Sequence, residues 1–132
     1  ICLKGKEIPM NMYDDAYNLA KSIRESAEMK QLIAAKEKLA QDAAAKDLAE
    51  EFLALQMEAE YRRMLQKTDG WDGMEKLQSL QVMVQNNSLA SEYLHAFMRW
   101  QQVAADIQKI VSDAISEGVP DLSRFAPAEG KQ

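Results

Sequence analysis

Between Met10 and Asp69, and again between Met74 and Glu117, the chain has neither glycine nor proline. Its breakers are confined to Gly5, Pro9, Gly70, Gly73, Gly118, Pro120, Pro127 and Gly130. Both stretches are rich in Ala, Leu, Glu, Gln, Lys and Met, the residues that lose least on entering a helix. Thr68 is the only threonine and other β-branched residues are sparse, so a sheet has little to build from. The spacing predicts an all-α fold: an elongated bundle of about five helices with long antiparallel members.

Local signals divide the two stretches. Asn11 is placed to cap a first helix whose apolar face is Tyr13, Ala16, Tyr17, Ala20 and Ile23. A joint at Ser26 precedes a second helix through Met29, Leu32, Ile33 and Leu39. Asp42 is expected to cap a third, carrying Leu48, Phe52, Leu55 and Ala59 to about Lys67. The main turn is Thr68-Asp69-Gly70-Trp71-Asp72-Gly73, in which Asp72 and Glu75 have the spacing of a capping pair. Met74, Leu77, Leu80 and Val84 follow on one face. Asn86-Asn87-Ser88 predicts a break, because such side chains compete for backbone hydrogen bonds. A last helix should run from about Leu89 to Glu117 and stop at Gly118 with Pro120 beyond.

That last helix has the cleanest pattern. Tyr93, Phe97, Trp100, Ala104, Ile107, Val111 and Ala114 alternate in steps of four and three, and Ala96, Val103 and Ile110 widen the seam. A helix of about 29 residues is roughly 44 Å long. A compact 132-residue chain has a diameter of only about 36 Å. The excess seam predicts a second chain, so Tyr93, Phe97, Trp100, Ala104, Ile107 and Val111 are candidate interface residues of a homo-oligomer, a dimer being favoured. Residues 12–117 are expected to form one helical domain. Flexible segments are expected at 1–11, which need not be native, and at 118–132.

The chemistry-bearing residues are few. Sixteen basic against 21 acidic side chains give a formal charge of −5, the wrong sign for a phosphate-binding surface, so no direct nucleic-acid binding is expected. No apolar run approaches a membrane span, and Ile1–Met10 lacks the apolar core of a secretory signal, so a cytoplasmic protein without membrane contact is expected. Cys2 is the only cysteine, which excludes a disulfide within one chain or an all-cysteine metal site. His95 lies opposite the seam and lacks the partners of a catalytic triad. Glu92-x-x-His95 has the spacing of one half of a di-iron motif, without its other ligands. Asp69 to Glu75 superficially resembles a calcium loop, but its glutamate comes too early for twelve-residue coordination. Arg62, Arg63 and Lys67 fit favourable placement at a helix C-terminus. No catalytic set, cofactor or metal site is therefore expected. Trp71, in its Gly-Asp turn, is either an exposed partner contact or a staple folded onto the adjoining helix ends, the staple being the leading reading.

From Met12 to about Ile115 the order of segments resembles the YlbF/YmcA-like family, which controls the competence regulator and includes YheA-like proteins. The resemblance is carried by Met12 to Ala20 with Ser22 to Ser26, by Leu48 to Gln56, and by Asn87-Ser88-Leu89, Glu92-Tyr93-Leu94 and Ile107 to Ile110. Ala43 and Ser88 depart from it, standing where proline is common. It implies a non-enzymatic, oligomer-forming regulator of competence, sporulation and biofilm formation, in some members through a complex of paralogues that directs the endoribonuclease RNase Y in mRNA processing. The iron–sulfur cluster of some members is not implied here, since Cys2 lies upstream of the matching region. The expected function is a regulatory adaptor acting through protein contacts. The alternative is a small metal- or ligand-binding bundle, supported by Glu92-x-x-His95 alone.

Overall fold

A computed structural model describes residues 11–125. Five α-helices account for most of them: α1 (Met12–Glu25), α2 (Ala27–Ala40), α3 (Ala43–Met64), α4 (Gly73–Gln85) and α5 (Ser88–Ser116), followed by a single 3-10 turn, Ser123–Phe125. No strand occurs among the described residues, and the fold is an all-α helical bundle. Cys2 and the outer parts of the expected terminal segments lie outside the described residues.

Short polar side chains start four of the helices. Asn11 Oδ1 accepts a hydrogen bond from the Asp14 N–H at 2.9 Å, and Ser26 Oγ accepts from the Met29 N–H at 3.2 Å. Asp42 Oδ1 accepts from the Ala45 N–H at 3.1 Å, and Asn87 Oδ1 from the Ala90 N–H at 3.0 Å. Each satisfies one donor that the first helical turn leaves unpaired.

Two expected details differ. Asp72 makes no side-chain cap, since its backbone (φ −89°, ψ 5°) lies outside the extended region a capping side chain needs. The third helix stops at Met64 instead of Lys67, because Gln66 turns left-handed at φ 57°. The Lys67 N–H then bonds the Arg62 carbonyl at 2.9 Å and the Gln66 N–H the Arg63 carbonyl at 3.1 Å, a Schellman stop without glycine.

The chain divides after Trp100, inside α5, into two units, Ile1–Trp100 and Gln101–Gln132. The first holds a core of Leu39 from α2, Ala45, Leu48 and Ala49 from α3, Leu80 and Val84 from α4, and Ala90 and Leu94 from α5. Three of these eight are alanines, which lets the helices approach closely. Phe52, Leu53, Leu55, Leu89 and Tyr93 close round them. Lys38 meets Glu92 at 3.1 Å and Gln31 meets Arg99 at 3.5 Å, so α2 descends as α5 advances and the two run antiparallel. The second unit contains the rest of α5 and the 3-10 turn, and none of its described residues is buried.

Candidate functional site

The polar residues that invited chemical readings have ordinary occupations. His95 is exposed, and Glu92 spends its carboxylate on Lys38. No group of three or more potential metal ligands occurs among the described residues. Arg62 pairs with Glu58 and Arg63 with Glu60, each at 2.9 Å, so the small basic patch is partly neutralised by its own helix. Lys46 and Glu50 pair at 2.7 Å, and that hydrogen bond raises the Lys46 pKa above its ordinary value.

A small, comparatively enclosed cavity lies between α2, α3 and α5, with Leu39, Ala49, Leu53 and Tyr93 in its wall. At 130 Å³ it falls below the ~300 Å³ at which small-molecule pockets usually begin. A wider groove of 560 Å³ beside His95 is open and lined by amides, hydroxyls, Glu92 and Arg99. Neither brings together a nucleophile, a base and a group to stabilise developing charge.

Trp71 is half-buried. Its indole lies over Gly73, where an added Cβ would overlap the ring, and the Arg62 guanidinium stands 4.9 Å from its centroid. The side chain ties the end of α3 to the start of α4, which is the geometry of a staple.

The candidate seam of α5 is treated differently in the two units. In the first, Tyr93, Phe97 and Trp100 are half-buried, and the rings of Tyr93 and Phe97 stack at 6.0 Å with 24° between planes. Burial, with a smaller contribution from the Glu50 charge, pushes the Tyr93 pKa up. In the second unit Ala104 and Ile107 are half-buried, and Val111 is exposed. Ile110 and Ile115, beside the seam, are 69% and 66% exposed.

Two further apolar faces are open, and the sequence reading had not assigned either to contact. In α1 the side of Tyr13 and Tyr17 is regular and strongly amphipathic, yet no residue of the helix is buried; Tyr13 and Tyr17 stand 70% and 75% exposed. On α3, Met57, Tyr61 and Met64 project from the side opposite the core at 72%, 62% and 74% exposure. Their four-then-three spacing was the available signal, obscured by the glutamates and arginines between them. Leu94 was also missed as a core residue. It sits next to the seam and one turn beyond Ala90, on the side turned towards α3 and α4.

The described molecule thus offers apolar helix faces flanked by paired charges, and no helix among its described residues is long and apolar enough to cross a membrane. The chain is 37% identical over 105 residues to a UPF0342 protein of Caldicellulosiruptor bescii, covering 80% of this chain and 88% of the relative. It is 34% identical over 110 residues to one of Streptococcus pneumoniae, covering 81% and 96%. A third, from Desulfitobacterium hafniense, is 31% identical over 111 residues, covering 84% and 90%. The model of the family described as control of competence regulator ComK, YlbF/YmcA, matches residues 12–116, and the chain belongs to that family of regulatory proteins.

Proposed function

We propose that this protein is a regulatory adaptor that acts through protein–protein contacts and catalyses no reaction itself. The observation carrying this reading is the set of large apolar side chains left open on regular helix faces, among them Tyr13, Tyr17, Met57, Tyr61 and Met64. Contiguous exposed apolar surface commonly marks a partner site. Membership of a family that controls a competence regulator supports a regulatory role. In this reading the protein is cytoplasmic and self-associates, most simply as a dimer, using part of the seam from Tyr93 to Val111. Any influence on biofilm formation, sporulation or mRNA processing runs through paralogues and the endoribonuclease RNase Y, without direct RNA binding.

The charge distribution favours a protein partner over RNA. An RNA-binding surface needs a concentrated positive field. Here Arg62 and Arg63 are paired to Glu58 and Glu60 on a chain of net charge −5.

The test measures binding of the purified protein to labelled RNA at physiological salt, alongside co-purification of paralogues and RNase Y from host extract. Stoichiometric recovery of those proteins with no RNA affinity is the expected result. Tight, salt-sensitive RNA binding by the isolated chain would overturn the adaptor reading. Unchanged transcript processing after gene deletion would remove the nuclease link alone.

A further inference from the structure

The small cavity between α2, α3 and α5 is built on two levels. Leu39 and Ala49, both buried, form its floor, and the half-buried Leu53 and Tyr93 form its sides. Its mouth is made by Lys36, Ala40, Lys46 and Glu50, all exposed. Helical spacing brings them together. Lys36, Leu39 and Ala40 follow one face of α2, and Lys46, Ala49, Glu50 and Leu53 follow one face of α3. An apolar cavity of about 150 Å³ can hold one benzene molecule. At 130 Å³ this one has room for a single ring or a short branched chain.

The charges at the mouth select among ligands of that size. Glu50 is already paired with Lys46 at 2.7 Å. Lys36 has no ion pair among the described residues, so the mouth carries two ammonium groups against one carboxylate, on a chain whose net charge is −5. The Lys36 stem extends the apolar wall while its ammonium stays at the water-facing edge. Tyr93 adds a second donor. Its hydroxyl makes no hydrogen bond among the described residues, and burial together with the Glu50 charge keeps it protonated. A carboxylate offers both groups what they can use, a negative charge for the ammonium and lone pairs for the phenol. A cationic ligand would meet two like charges at the entrance.

We infer that this cavity binds a small monocarboxylate whose apolar part is no larger than one benzene ring, with that part against Leu39, Ala49 and Leu53 and the carboxylate held by Lys36. The site goes beyond the adaptor reading and does not depend on it. Three helices supply its wall, so a bound ligand joins α2 to α3 and α5 and favours the folded first unit.

Benzoate is the probe, titrated into the full chain while NMR follows the Leu39 and Leu53 methyl groups and the Tyr93 ring. Saturable shifts at these three residues are expected, with a dissociation constant on the order of 1 mM for so small a ligand. Benzylamine, of the same size and opposite charge, should bind about fivefold more weakly. The absence of saturable shifts at these residues, or equal binding of benzylamine, would overturn the inference. Two variants at exposed positions separate binding from folding, which circular dichroism checks in each. Lys36→Gln should weaken benzoate about threefold and leave the neutral benzamide unchanged. Ala40→Leu should fill the mouth and abolish binding of both. Undiminished benzoate binding by Ala40→Leu would place the ligand elsewhere and overturn the site.

Discussion

The two halves of α5 share one helix and one apolar repeat but differ in what the repeat is used for. From Ser88 to Trp100 the helix buries Ala90, Leu94 and Ala96 and leaves the aromatic seam half-covered. From Gln101 to Ser116 it buries nothing. A heptad pattern therefore records that a face prefers to leave water, without recording which chain will cover it. The first half has α2, α3 and α4 contributing to its core, and small residues allow their close approach. The second half carries Val103, Ile107, Ile110, Val111 and Ile115, none of them buried.

The largest break in this comparison should come from Leu94, 5% exposed in the shared core. Leu94→Ala is expected to cost about 2–5 kcal/mol, through lost transfer energy and an incompletely filled cavity. Ile115→Ala, at a 66% exposed site, should change monomer stability by only ~0.5 kcal/mol or less. Urea denaturation at a concentration where the protein is monomeric reads both. Equal losses would mean the two halves are packed alike.

A smaller effect is expected where the first half begins. Asn87→Ala removes the acceptor for the Ala90 N–H and should cost about 1 kcal/mol in the same assay. Gln66→Gly should act in the opposite direction, stabilising by about 1 kcal/mol, because glycine enters the left-handed region without the penalty a side chain incurs.

The smallest test concerns pH. The Tyr93 phenol titrates above its ordinary 10.0, so the folded state holds that proton more tightly than the unfolded chain. This contribution is fully present below pH 10 and is lost as pH rises through the folded pKa. Tyr93→Phe should flatten part of the alkaline loss of stability measured by thermal melts, and an unchanged alkaline limb would mean that Tyr93 is not the responsible group.

Much of the local structure was legible because it depends on neighbours in sequence. Asn11, Ser26 and Asp42 cap the helices whose starts they marked, and Asn86-Asn87 interrupts the chain between α4 and α5. Asp72 was misread because a capping spacing describes side chains only. The backbone of a turn tied down by Trp71 took a conformation that spacing does not encode. Gln66 was missed for the same reason, since glutamine gives no composition signal for a left-handed stop. The contact faces were legible only in part: the α5 seam could be read, whereas Met57, Tyr61 and Met64 were hidden among charges that pair with one another.

Sequence alone determined that the chain is helical, where most helices begin, and that no metal-ligating cysteine set can form within one chain. These follow from backbone propensity, capping and residue inventory, which act over a few residues or none. Only the tertiary structure decided which apolar faces are used up inside the chain. Burial of Ala45, Leu48, Leu80, Ala90 and Leu94 depends on four helices converging, and the same convergence leaves Tyr13, Tyr17, Met57 and Tyr61 facing solvent. Hydrophobic periodicity is a property of one helix, whereas burial is a property of the helices that meet it.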